Sequence, residues 1–438
     1  MTEETLVAPR PAARRRLLAD ALVYTLANVA CAAIPFLMLP ILTRVLTPQE
    51  YGTVAMFSVA VAFFSALTGL SVHGAVGVRF FDRDTIDFPR YIATCLAILA
   101  CSTAVVLAGV WLALPWLQSL TNLPGTWLAV AVLVSCATFI VQIQLAVWQS
   151  SRQPWRYGAL RMFQAGTDAL GSLVLVLSAG LAWQGRLGGI AFAAVATAMA
   201  AAVLLARGGW VRGPLSRDYA ANALRFGVPL VPHAFGAMLT GILDRVLITN
   251  MVGVASTGVY MVALQIGMVL GLLTDSFNRA FAPWLIESLR TSDTRRDIAV
   301  VRYTYVYFAL VLLGSAVVGL AAPAVLSVLV GDRFAAAAPI VLYTMLGYAF
   351  GGMYYMVTNY VFFAGRTQWL AAVTLTGGVV NAAASYLLIR DHGAIGAAQA
   401  FVLAQALTFA GTWWLAQQSR PMPWLKALQP TPAKGPTP

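Results

Sequence analysis

The sequence predicts an all-α polytopic membrane protein of about twelve transmembrane helices, in two six-helix lobes related by a pseudo-two-fold axis along the membrane normal. Three observations predict it. Hydrophobic side chains make up 60% of the 438 residues and charged ones only 10%, too few to coat a soluble globule of this size. The apolar residues gather into twelve stretches, each near or above the ~20 residues a helix needs to cross ~30 Å of hydrocarbon. Two pairs of segments recur at nearly one offset: Gly52 in "LTPQEYGTVAMFSVAVAFF" and Gly258 in "GVASTGVYMVALQIGMVLG" lie 206 positions apart, and Gly189 and Gly396 lie 207 apart. Six spans per half is an even number, so both halves enter from the same side, as parallel repeats do.

The elements follow in order. A basic arm, 1–16, carries Arg10, Arg14, Arg15 and Arg16 and precedes span 1 at 17–43, which has no small-residue cleavage site after it. Span 2 (52–74) returns to an inside segment with Arg79, Arg83 and Arg90. Spans 3 (89–116) and 4 (126–149) lead to Arg152, Arg156 and Arg161. Spans 5 (158–183) and 6 (187–206) close the first lobe, and the inter-lobe loop 207–221 with its flanks holds Arg207, Arg212, Arg217 and Arg225. The second lobe, 222–416, holds spans at 222–250, 256–287, 301–330, 336–363, 368–389 and 393–416. Its inside loops carry Arg290, Arg295, Arg296, Arg302 and Arg366, and the tail 417–438 carries Arg420, Lys426 and Lys434. That tail ends in the Pro-rich "QPTPAKGPTP" and reads as disordered. With the N-terminus inside, the 28 basic residues divide as 22 inside, 4 outside (Arg44, Arg186, Arg333, Arg390) and 2 embedded (Arg245, Arg279). This is the positive-inside pattern, with both termini cytoplasmic.

The net charge of +12 is spread over membrane-flanking loops without interleaved aromatics, so orientation accounts for it and nucleic acid is not an expected partner. Cys31, Cys95, Cys101 and Cys136 all sit in apolar stretches, suited to packing. His73, His233 and His392 are too scattered to form a metal set, and no other cofactor is expected. The only lysines are in the tail, so a phosphate-cradling Gly-x-x-x-x-Gly-Lys loop is absent. The outside loops hold only Glu50, Asp332 and Asp391 as acids, which gives no carboxylate pair to flank a scissile bond, and no enzyme activity is expected.

Polar groups inside the spans are the candidate site. Asn28, Asp168, His233 and Asn381 fall near mid-membrane on odd-numbered spans, where an ionisable side chain costs at least ~2.5 kcal/mol and faces water or a partner by default. For the two asparagines, simple interhelical hydrogen bonding is the alternative. Asp275, Asn278 and Arg279 share a helix face by their i, i+3, i+4 spacing. Asp244 and Arg245 read as a local charge pair or as a substrate contact. Pro229 and Pro232 remove two backbone donors beside His233, so span 7 should bend there, for packing or as a hinge. Arg79 and Arg225 stand at the inner mouth, where the positive-inside rule alone also explains them.

"YTLANVACAAIPFLMLPILTRVLTPQEYGTVAMF", "FGVPLV" with the later "DRVLITNMVGVASTGVYMVA", and "FNRAFAPWL" resemble the polysaccharide repeat-unit flippases of the multidrug/oligosaccharidyl-lipid/polysaccharide exporter superfamily. The resemblance runs from about residue 17 to residue 416. It implies alternating access between two lobes and movement of undecaprenyl-diphosphate-linked oligosaccharides from the inner to the outer leaflet. The implied partners are that substrate, membrane lipid, and polysaccharide polymerase or assembly proteins. Arginine suits the diphosphate through its planar fork, with Arg279, Arg225 and Arg79 best placed. Coupling to H+ or Na+ through Asp168, Asp275 or His233 would add to the membrane potential. The alternatives are an ion-coupled drug antiporter of the same superfamily and a membrane glycosyltransferase or polymerase.

Overall fold

A computed structural model describes residues 11–289 and 294–427, and every regular element among them is helical. Arg10, Arg290, Lys434 and the "QPTPAKGPTP" segment lie outside the described residues. In chain order the helices are α1 (Pro11–Val45), α2 (Pro48–Leu67), α3 (His73–Arg79), α4 (Phe88–Leu112), α5 (Leu114–Thr121) and α6 (Gly125–Ser150). Next come α7 (Pro154–Leu173), α8 (Ala182–Arg207), α9 (Arg217–Gly227), α10 (Leu230–Met251), α11 (Val254–Leu289) and α12 (Thr294–Leu320). The last are α13 (Ala322–Leu329), α14 (Ala338–Phe363), α15 (Thr367–His392), α16 (Ala394–Ser419) and α17 (Trp424–Ala427). Eleven helical segments among the described residues are long and apolar enough to cross a membrane. The predicted span 7 is divided between α9 and α10, with the break at Val228 and Pro229. Large apolar side chains such as Trp111, Leu310 and Leu375 remain exposed on helix flanks, as suits contact with lipid tails.

Residues 1–46 and 53–239 form one compact unit, and 47–52 with 240–438 form the other. This division differs from the division by internal repeat at 207–221, because the boundary between the units falls within α10, after Leu239. In the first unit α7 packs on α8 and α1, and α6 packs on α8. In the second, α14 packs on α16, α11 and α12, and α15 packs on α16.

Span 2 is not continuous. Gly69 takes φ +72° and Leu70 φ +47°, a left-handed step that glycine enters freely and leucine does not, and the chain resumes as α3. The freed Gly69 N–H donates to Ser102 Oγ at 2.8 Å, so the break is satisfied from α4. This step sets the direction in which α3 presents His73 and Arg79. A side chain at position 69 would also run into the Phe139 ring.

The repeated glycines make a close crossing inside the second unit. A methyl added at Gly258 would fall on the Pro48 carbonyl, and one at Gly52 on the Val254 carbonyl. Pro48 and Val254 are separated by the same 206 positions as the glycines, so the contact is reciprocal, as a duplicated helix start would make it. Backbone against backbone cannot yield by a rotamer change. Gly258→Ala is therefore expected to lower the thermal midpoint by several degrees, since overpacking costs about 1–3 kcal/mol. Gly314→Ala in α12, where nothing lies within 4 Å of an added methyl, should leave it unchanged. Equal midpoints for the two variants in size-exclusion thermal scans would refute the close crossing.

The tail does not match its expected disorder over residues 417–427. Gln417 Oε1 accepts from the Met422 N–H at 3.0 Å and from Trp424 Nε1 at 2.8 Å, which folds the chain back after α16. Trp424 then packs on Trp413 and Tyr360, and Arg302 Nε donates to the Ala427 carbonyl at 3.0 Å. Two apolar anchors, Met422 and Trp424, hold this stretch despite Pro421 and Pro423; the more Pro-rich remainder begins beyond it.

Candidate functional site

The first unit holds the richer constellation, and α7 organises it. This helix opens with Pro154 in its first turn, where a missing N–H costs nothing. Tyr157, Arg161, Gln164 and Asp168 follow at i, i+4, i+7 and i+11, which stacks them on one face. The segment carrying them is the least apolar of the eleven candidate spans. Arg161, Gln164 and Asp168 line a cavity of about 280 Å³, closed by Cys31 of α1, Thr138 of α6 and apolar residues of α8.

Asp168 is not free. Arg186 approaches it through both terminal nitrogens, the Nη2 contact to Oδ2 being 3.2 Å, and Arg186 Nη1 also reaches Ser172 Oγ at 2.6 Å. The side chains of Arg186 and Asp168 are 12% and 24% exposed, so this is a largely buried, forked ion pair. The sequence reading put Arg186 in an outside loop. In the structure it lies in the second turn of α8, and a π-helical turn at Val174–Ser178 with Gly180 at φ +64° brings it back over α7. Arg161, read as an inside-loop charge, stands two turns into α7. Its Nε is buried without a hydrogen-bond partner, and no ion pair forms to it among the described residues.

A second cavity in the same unit, of about 600 Å³, lies where α3 meets α6 and α7. It is lined by His73, Gly77, Phe81, Gln142, Gln149 and Tyr157 among others, with no carboxylate, lysine or arginine in its wall. His73 stacks edge-on against Phe139 and leaves its buried Nδ1 without a partner.

Other predicted residues have structural employment. Arg79 Nε donates to Asn222 Oδ1 at 3.1 Å and its Nη1 pairs with Asp82 at 2.8 Å, tying α3 to α9. Arg225 is exposed on α9, which packs through Ala223 and Gly227. Asn28 is exposed on α1. Pro229 lies in the break between α9 and α10, and Pro232 in the first turn of α10, where its missing donor is tolerated; the side chain of His233 lies outside the described residues.

In the second unit the expected charge pair of Asp244 with Arg245 does not form. Successive side chains on a helix point about a quarter-turn or more apart and do not face each other. Asp244 instead accepts from the hydroxyl of the fully buried Tyr260 and from the Arg245 backbone N–H at 2.8 Å. The Arg245 Nε turns to Met261 Sδ, 3.0 Å away. Arg279 and Asp275 do pair, at 2.8 Å, but their side chains are 63% and 36% exposed. Asn278 leaves that pair and accepts from Asn359 Nδ2 of α14 at 2.8 Å, an interhelical bond. Asn381 is buried with Oδ1 unpartnered.

The fold is shared with known transporters. A lipid II flippase, MurJ, in an inward closed conformation superposes with a TM-score of 0.72 at 10% identity, covering 93% of this chain and 90% of that one. An inward-facing multidrug resistance MATE family transporter of the MOP superfamily gives 0.59 at 16% identity, over 92% and 97%. An Lsg-locus protein of Haemophilus influenzae is 20% identical over 375 residues, 83% of this chain and 89% of its own. The sequence pattern of the polysaccharide biosynthesis protein family matches residues 17–289, well over half of the chain. Taken with the all-helical, multi-pass architecture, that match makes this chain a member of the polysaccharide biosynthesis protein family.

Proposed function

We propose that the protein carries polyprenyl-diphosphate-linked oligosaccharide from the inner to the outer leaflet of a bacterial cytoplasmic membrane by alternating access, with both termini inside. A sugar head group cannot cross lipid bare, since each unpaired hydroxyl costs several kcal/mol in an apolar medium. A polar slot in the protein supplies its partners while the prenyl chain stays in lipid. The observation that carries this reading is the charge balance of the embedded groups. Asp168 and Asp275 are paired with arginines and Asp244 is held by Tyr260, whereas Arg161, half-buried in the cavity that Asp168 also lines, forms no ion pair among the described residues. An exporter of cationic drugs wants a free carboxylate; a free guanidinium wants an anion such as a diphosphate.

An anionic head leaving a negative interior is driven outward by ~2.3 kcal/mol per charge per 100 mV, so hydrolysis of ATP is not required. Coupling to H+ or Na+ at Asp168 or Asp275 would have to compete with the arginine already paired there. On the outer leaflet the natural recipient is a polymerase that joins repeat units.

Purified protein in liposomes should flip a fluorescent polyprenyl-diphosphate oligosaccharide without ATP, faster when the potential favours anion exit. A strict ATP requirement with no partner protein present would overturn the proposal. So would efflux of a lipophilic cation with no movement of the glycolipid.

A further inference from the structure

We infer that the cavity lined by His73, Gln142, Gln149 and Tyr157 receives the uncharged sugar portion of the exported lipid, an assignment that rests on the flippase reading above. Its volume of about 600 Å³ lies within the ~300–1,000 Å³ range of ligand pockets and far exceeds the ~30 Å³ share of one water.

The wall has the chemistry of a hydroxyl-rich ligand. Gln142 and Gln149 are seven residues apart on α6, hence on one face, and their carboxamides make no hydrogen bond among the described residues. A carboxamide donates and accepts at once, which matches a hydroxyl that does the same. His73 adds an imidazole to the wall, its ring held edge-on against Phe139. Phe81 is 70% exposed and, with Tyr157, offers aromatic surface to the apolar faces of a sugar ring. Gly77 keeps the floor open: a methyl added there would find its nearest atom, Ser150 Oγ, at 3.9 Å. No lysine or arginine is present to hold a phosphate, and no carboxylate to hold a cationic drug.

Position along α7 supplies the second argument. Tyr157 belongs to this neutral cavity and Arg161, one turn on, belongs to the charged one. A neutral, hydroxyl-seeking site next to an unpaired guanidinium follows the order of groups across a sugar–diphosphate junction. An acyl chain would have no use for either the amides or the imidazole.

The test uses the full chain in nanodiscs and compares binding of undecaprenyl diphosphate, the same lipid carrying one N-acetylhexosamine, and phosphatidylglycerol. The glycosylated lipid should bind about tenfold more tightly than the bare diphosphate, the gain of one or two net hydrogen bonds. The Gln142→Ala, Gln149→Ala double variant should bring that ratio to about one while leaving binding of the bare diphosphate unchanged. Gly77→Leu, which fills the floor, should do the same by a different route. Equal binding of the two diphosphate lipids by the wild type, or an unchanged ratio in both variants, would overturn the sugar site alone. Failure of both diphosphate lipids to bind above phosphatidylglycerol would overturn the flippase reading together with it.

Discussion

Arg186→Ala is expected to destabilise the protein by about 3–5 kcal/mol, the cost of removing one partner of a buried ion pair and leaving the other charge behind. Both side chains are less than one-quarter exposed, so solvent screens little of this. Asp168 would keep Ser172 as a hydrogen-bond partner at 3.3 Å, which satisfies one lone pair and not the charge. The loss should be read as a lowered thermal midpoint in mild detergent and a smaller monodisperse peak. The double variant Asp168→Leu, Arg186→Met should recover most of it, because an apolar pair of similar volume avoids desolvation altogether. If Arg186→Ala keeps the wild-type midpoint, the pair does not hold α7 to α8. If the double variant is stable yet fails to export, Asp168 has a transport role besides its structural one.

Much of this architecture was legible in the sequence, because hydrocarbon imposes a length and a polarity on each span that few other constraints can override. The break beside Pro229 was legible for the same reason: proline announces the missing donor. The break at Gly69 was not, since a lone glycine in an apolar run gives no sign of whether a left-handed step will be taken or of the Ser102 hydroxyl that supports it. Charges misled where a long side chain could reach back. Arg186 follows a run that reads as a loop, and only the π-helical turn before it makes its guanidinium meet Asp168, 18 positions earlier. Arg161 was absorbed into the tally of inside arginines, although its four- and seven-residue spacing from Tyr157 and Asp168 was visible. Asp244 shows the opposite failure. Adjacency in sequence suggested Arg245 as its partner, whereas helical geometry gave it to Tyr260, 16 positions away.

Arg161→Ala should abolish export of the lipid-linked glycan while the protein still reaches the membrane at normal levels. The guanidinium lines a cavity and forms no ion pair among the described residues, and its Nε is buried without a partner, so it is free to meet an arriving diphosphate through its remaining N–H groups. Such an interaction is strong because it is charge-assisted and shielded from water, and its removal should reduce transport by at least ~100-fold, on the order of 3 kcal/mol. Arg161→Lys keeps the charge and loses the paired fork, so it should recover only part. Arg279 provides the contrast. It is mostly exposed and already bound to Asp275, so Arg279→Ala should cost less, and the charge-swapped Asp275→Arg, Arg279→Asp variant should export normally if that pair is only structural. Thermal midpoints separate the two roles. A buried guanidinium Nε without a partner costs the resting fold stability, so Arg161→Ala should melt at or above the wild-type temperature, whereas a cation that braces helices would melt lower when removed. An inactive Arg161→Ala with a raised midpoint and inner-leaflet glycolipid accumulating in cells marks a ligand-seeking group; a fully active one removes Arg161 from the transport path.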